Sequence, residues 1–217
     1  MNEPTHMQAE IDETMGAVTP PDLQALIEAM VDDLDRRGTV PGIAVGTPAP
    51  DFTLPDAHGV PVTLSQRLAD GPVVLSFYRG AWCPVCNIEL RTLQAHLDEI
   101  AARGASLVAV SPQAPDTSLS FAESAHLGFD VLSDLDQSVA SAHGVRFRLS
   151  DALIAQYEKW GLLLPEQNAD GSWDLPVPAT FVIDRDGTVV ARHVDPDYRH
   201  RMDPALILDA LDELVTR

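Results

Sequence analysis

Cys83 and Cys86 are the only cysteines among 217 residues. They stand three apart in Phe77-Tyr78-Arg79-Gly80-Ala81-Trp82-Cys83-Pro84-Val85-Cys86. A thiol attacks only as the thiolate, and a free cysteine titrates at about 8.5. The run before the pair, Val73 to Tyr78, is apolar and β-prone, whereas Ile88, Leu90, Leu93, Leu97 and Ile100 recur after it at helical spacing. The pair is therefore read onto a strand-to-helix corner, in the first helical turn. Unpaired N–H groups and the positive end of the helix dipole favour an anion there. Residues three apart on a helix have Cβ atoms about 5–6 Å apart, which a disulfide spans after a modest rotamer change. Pro84 suits the first turn, where a missing N–H costs nothing. The chemistry this implies is a reversible, redox-active Cys83–Cys86 disulfide within one chain.

A zinc site is the competing reading. It needs four ligands, no third cysteine exists, and His96, His126, His143 and His193 show no ligand spacing, so no metal and no cofactor are expected. Arg79 has two readings: a guanidinium that lowers a thiolate pKa or polarises a peroxide, or a surface arginine paired with one of many carboxylates. Trp82 is read as a packing platform beside the cysteines, with substrate contact as the alternative. Glu89 is read as a solvated helix residue rather than a proton relay. Asp184-Arg185-Asp186-Gly187 fits a tight hairpin turn better than a calcium loop. The charged stretch from Asp195 to Asp203 carries no motif that assigns it chemistry.

With 33 acidic against 14 basic residues, the formal charge is −19. Such a surface repels nucleic acid phosphates and anionic membranes, so neither partner is expected. No apolar run approaches the roughly 20 residues of a membrane span. The first ten residues are polar and show no secretion signal. A cytoplasmic location follows as the expectation, and a lasting structural disulfide is disfavoured there.

Residues 1–20 read as loose, with no apolar periodicity. Leu23, Leu26, Ile27, Met30, Val31 and Leu34 form one helical stripe closing near Gly38. Residues 1–45 are taken as an N-terminal tail and helix, and 46–217 as one domain. In that domain two short extended segments (52–54 and 60–64) precede the cysteine-bearing β-α unit, whose helix runs to Arg103-Gly104. A strand over 106–110, a helix of about a dozen residues, a short strand over 129–132, and helices over 137–143 and 150–160 follow. Pro165 to Trp173 reads as a surface loop. A hairpin over 179–193 and a helix opened by Pro204, with Leu206, Ile207, Leu211 and Leu214 on one face, close the chain. Strands alternating with helices describe an α/β sheet covered by helices.

Four segments resemble the peroxiredoxin branch of the thioredoxin fold, the alkyl hydroperoxide reductase and thiol-specific antioxidant (AhpC/TSA) family. They are Val45 to Leu54, Phe77 to Cys86, Leu132-Ser133-Asp134 and Pro178 to Asp184. The resemblance covers roughly Gly46 to Leu214. It implies an α/β, thioredoxin-like three-layer fold with a central mixed sheet, here with an N-terminal helical extension. It also implies a thiol peroxidase that reduces hydrogen peroxide or alkyl hydroperoxides and is recycled by thioredoxin or a low-molecular-weight thiol, with a homodimer as the family-based expectation. The departures are specific. Cys86 falls on the family's peroxide-attacking position, Arg79 on its active-site proline, Cys83 on its threonine and Pro178 on its peroxide-polarising arginine. By thioredoxin analogy Cys83 attacks; by peroxiredoxin alignment Cys86 does; both lead to the same disulfide. The fold also implies a cis Val177–Pro178 bond packed against that disulfide. Two other activities stay open: a thiol–disulfide oxidoreductase without significant peroxidase activity, and a redox sensor or interaction module.

Overall fold

The run Val73–Phe77 has no exposed residue, as befits a strand covered by helices on both faces. It is the centre of the structure, a computed structural model that describes residues 5–216, apart from the side chains of Asp116, Leu119, Ser120, Phe121 and Ser124. The chain opens with α1 (His6–Val18) and α2 (Pro21–Arg37), followed by β1 (Thr53–Pro55), β2 (Pro61–Thr63) and α3 (Leu64–Asp70). Then come β3 (Val73–Phe77), α4 (Pro84–Ala95), α5 (Leu97–Ala102), β4 (Ser106–Ser111), α6 (Pro115–Ser124), β5 (Asp130–Ser133) and α7 (Ser138–Ala142). The remainder is β6 (Arg146–Arg148), α8 (Asp151–Lys159), α9 (Leu164–Gln167), β7 (Asp174–Pro176), β8 (Ala179–Ile183), β9 (Val189–Val194) and α10 (Pro204–Val215).

The main sheet has the order β5-β4-β3-β8-β9. β3 runs parallel to β4 and antiparallel to β8, with Phe77 opposite both Val110 and Ala179. The sheet is thus mixed, as expected. Its register sets the end of β3, where the chain turns toward the cysteines, beside Pro178 at the start of β8. The Asp184–Gly187 turn closes by a hydrogen bond from the Gly187 N–H to the Asp184 carbonyl, with Gly187 at φ +87°, a conformation glycine adopts without a Cβ penalty.

Several expectations are corrected. The opening segment is not loose from residue 6 on. Thr5 caps α1 by accepting from the Gln8 amide, and Met7, Ile11 and Met15, spaced by four, are buried where α1 packs on α4. The long helix after the cysteines divides at His96 into α4 and α5. The Pro165–Trp173 segment contains the short helix α9 and a buried Asn168, whose Nδ2 donates to the carbonyls of Ser172 and Asp174. Leu206 is 56% exposed and lies off the buried face of α10, which Ile207 and Leu211 form. Finally, the Val177–Pro178 bond is trans. Among the described residues no helix is long and apolar enough to cross a membrane.

Candidate active site

The corner after β3 is a tight loop. The Cys83 amide donates to the Gly80 carbonyl at 3.1 Å, the Ala81 amide to Gln113 Oε1 at 2.6 Å, and Asn87 Nδ2 back to the Ala81 carbonyl at 3.0 Å. Gly80 adopts φ +139°, and a Cβ there would lie 2.6 Å from Trp82 Nε1. These constraints leave Cys83 at the N-cap of α4, with extended backbone angles (φ −92°, ψ 112°), and Pro84 at the first helical position. Cys86 follows in the same turn. Both thiols are buried, Cys83 at 1% exposure and Cys86 at 0%.

Two arginines converge on the pair. Arg79, 3% exposed, donates from its backbone amide to Cys86 Sγ at 3.5 Å and from Nη2 to the Tyr157 hydroxyl at 2.7 Å. Its guanidinium carbon lies 4.2 Å from the Tyr198 ring centroid and 5.0 Å from that of Trp82, cation–π distances. It forms no ion pair with a carboxylate among the described residues, which removes the surface-arginine reading. Arg201 approaches from the other side, from the segment before α10. Its Nη2 donates to Cys86 Sγ at 3.5 Å, its Nε to the Tyr198 carbonyl at 2.8 Å, and its Nη1 pairs with Glu89. Glu89 is therefore a buried ion-pair partner, not the solvated helix residue expected.

The charges sort the two thiols. Burial raises the pKa of both. For Cys83 the hydrogen bond with Cys86 and the charges of Arg79 and Arg201 outweigh burial and bring it down to about 6. Cys86 stays well above its ordinary value through burial and the thiolate beside it, although Arg201 pulls the other way. The two arginines thus favour a single thiolate in the pair, and their charges pull the Cys83 thiol down. Burial also lifts Glu89 to about 7, against the pull of Arg201, and lifts Tyr198 to about 12, against that of Arg79, so the Tyr198 phenol is neutral.

A pocket of about 150 Å³ opens beside the corner. Cys83, Arg79, Trp82 and Pro84 lie on its wall; Cys86 and Pro178 do not. The aromatic side chains of Tyr157, Trp160 and Tyr198 form another part of the wall, and Met15, Val18, Thr19 and Leu23, from α1, α2 and the turn between them, form its roof. Trp82 meets Tyr157 edge to face at 6.3 Å, consistent with its reading as a platform.

The AhpC/TSA family model matches residues 45–192. The chain belongs to this family. Peroxiredoxin Bcp of Escherichia coli strain K12 is 29% identical over 172 residues, which make up 79% of this chain and 97% of that protein. The structure resembles the crystal structure of peroxidoxin BcpB from Mycobacterium tuberculosis with a TM-score of 0.63 and 29% identity, over 79% of this chain and 98% of that one. It shares its fold with a cysteine-to-serine mutant of peroxiredoxin 6 from Arenicola marina, at a TM-score of 0.64 and 18% identity over 80% and 74% of the two chains.

The family match ends before Tyr198 and Arg201 and begins after the pocket roof. Sequence reasoning missed Arg201, Tyr157 and Tyr198 as site residues. One signal was available for Arg201. Glu89 is three residues after Cys86, hence on the same helix face, and a carboxylate among the apolar positions Val85, Ile88, Leu90 and Leu93 needs a cation beside it. Nothing local marks which arginine supplies it.

Proposed function

We propose that this AhpC/TSA family member is a thiol-dependent peroxidase in which Cys83 attacks and Cys86 resolves. The Cys83 thiolate attacks one peroxide oxygen, the O–O bond breaks, and water or an alcohol departs, leaving Cys83 as the sulfenic acid. The Cys86 thiol then attacks Cys83 Sγ; the S–O bond breaks, water leaves, and the Cys83–Cys86 disulfide remains. Thioredoxin or a low-molecular-weight thiol supplies the two electrons that reopen it. Arg79 serves this cycle twice. It favours the Cys83 thiolate, and its guanidinium, on the pocket wall with Cys83, can donate to a peroxide oxygen, a role the family resemblance gives to an arginine at the position Pro178 occupies.

The observation that carries this reading is access: Cys83 is on the pocket wall and Cys86 is not. A second reading rests on the N–H groups of Arg79 and Arg201 that both point at Cys86 Sγ. They would favour a Cys86 thiolate as the attacker, with Cys83 resolving. A third has the pair exchange disulfides without handling peroxide. Peroxide consumption in the presence of thioredoxin or a small thiol, compared with insulin reduction, separates the peroxidase from the oxidoreductase. Loss of peroxide turnover in both Cys83→Ser and Cys86→Ser supports a peroxidase that uses both sulfurs, and sulfenate trapped on Cys83 in Cys86→Ser selects the first reading over the second; insulin reduction without peroxide turnover would replace both.

A further inference from the structure

At pH values above the titration of Glu89 near 7, the buried charges around the pair balance in the reduced protein and not in the oxidised one. Reduced, the Cys83 thiolate faces Arg79, and Glu89 faces Arg201. Formation of the disulfide removes the thiolate. Arg201 keeps Glu89, but Arg79 is left as a buried cation with no carboxylate, its Nε still unpartnered. An uncompensated buried charge is costly, so the oxidised pocket gains affinity for an anion beside Cys83.

The pocket's size limits what can bring that anion. About 150 Å³ is below the range of roughly 300–1,000 Å³ typical of drug-sized ligands. Cys83, which carries the attacked sulfur, is 1% exposed and lines the pocket together with Met15, Val18, Thr19 and Leu23. A protein reductant has to bring its own cysteine Cα to about 4.4–6.8 Å from that of Cys83 to form a mixed disulfide, which requires the roof to move. A small thiol on a slim carbon chain needs no such displacement.

We propose that the pocket bounded by Arg79, Trp82, Cys83 and the α1–α2 roof is the binding site for the reductant, a small carboxylate-bearing thiol whose carboxylate pairs with Arg79. This rests on the reading above only in that a Cys83–Cys86 disulfide forms. The thiolate of the small molecule attacks Cys83 Sγ, the bond to Cys86 breaks, and Cys86 leaves as a thiolate that accepts from the Arg79 amide and Arg201 Nη2 before taking up a proton. A second small thiolate then attacks the ligand's sulfur in the mixed disulfide. It releases the small disulfide and returns the Cys83 thiolate, so two thiols are oxidised as one protein disulfide is reduced.

The test starts from full-length protein oxidised with diamide, with the disulfide verified by intact mass. Its outcome is thereby independent of peroxide activity. Reduction by mercaptopropionate is compared with that by mercaptopropanol, each rate corrected for thiolate fraction. The charged thiol should be faster by roughly tenfold or more, the scale of a hydrogen bond to a charged group, and its rate should saturate. Propionate, which has no thiol, should slow it in the unaltered protein, and Arg79→Gln should bring the two thiols to similar rates. Equal rates for the two thiols in the unaltered protein, or no competition by propionate, would overturn the assignment. So would thioredoxin at micromolar concentration outpacing millimolar mercaptopropionate.

Discussion

Glu89 and Arg201 lie 112 residues apart in sequence and form an ion pair with side-chain exposures of 3% and 1%, and the same guanidinium donates to Cys86 Sγ. The pair ties α4 to the segment before α10 and fixes a positive charge beside the Cys86 thiol. Removing one partner leaves the other charge buried alone, at a cost of about 3–5 kcal/mol. Arg201→Met should lose stability on that scale in urea unfolding of the reduced protein. The double variant Glu89→Leu with Arg201→Met should recover much of it, since an apolar pair of similar volume leaves no orphaned charge. A double variant as unstable as the sum of the singles would show that the pair is not coupled as described.

The same carboxylate gives stability a pH dependence. Unfolded, Glu89 releases its proton near its ordinary 4.5; folded, burial holds the proton until about 7. Between those values the folded state binds more protons, so this group's contribution to stability falls as pH rises through the window. Glu89→Gln should flatten that part of the stability curve, measured by denaturant titration between pH 4.5 and 7. A profile unchanged by the substitution would contradict the raised value.

Cys83 should react with iodoacetamide with a pH midpoint near 6, as its hydrogen bond with Cys86 and the two arginines dictate. Arg79→Gln removes one of those charges and should move the midpoint upward. Cys86→Ala, which removes the hydrogen bond, should do the same. A midpoint at the ordinary value in the unaltered protein would leave Cys83 without the thiolate assigned to it.

Gly80 combines φ +139° with a would-be Cβ 2.6 Å from Trp82 Nε1 and 2.9 Å from its Cδ1. Gly80→Ala therefore strains the backbone, at about 1–3 kcal/mol, and pushes on the indole that lines the pocket. Lower stability together with slower Cys83 alkylation is expected. Unchanged alkylation would separate the loop's geometry from the thiol's reactivity.

The strand-helix corner was legible because its signals are local: a β-prone run, two cysteines, a proline, then apolar residues at helical spacing. The hairpin at Asp186-Gly187 was legible for the same reason. The site's second half was not, because it is made at long range: Tyr157, Tyr198 and Arg201 meet the cysteines only through tertiary packing. Glu89 looked solvated because a charged residue on a helix usually is, and only the arriving arginine makes its burial tolerable. Helix α1 escaped notice although Met7, Ile11 and Met15 are spaced by four, since its other positions are mostly polar and burial against α4 supplies what periodicity alone did not show. Pro178 was read through the fold's usual cis peptide, whereas the bond is trans. At the third position that departs from the family pattern, Arg79, the sequence left two readings open, a guanidinium near the thiols and a surface arginine, and its burial at 3% exposure removes the second.

The central claim is that Cys83 is the attacking thiolate, and mass spectrometry of the two single-cysteine variants after brief exposure to substoichiometric peroxide, with sulfenic acid trapped by dimedone, tests it most directly. Cys86→Ser, which retains Cys83, should show the trapped sulfenate on Cys83, and Cys83→Ser should show little or none. Trapping on Cys86 in Cys83→Ser, with none on Cys83 in Cys86→Ser, would contradict the account and reverse the roles of the two sulfurs.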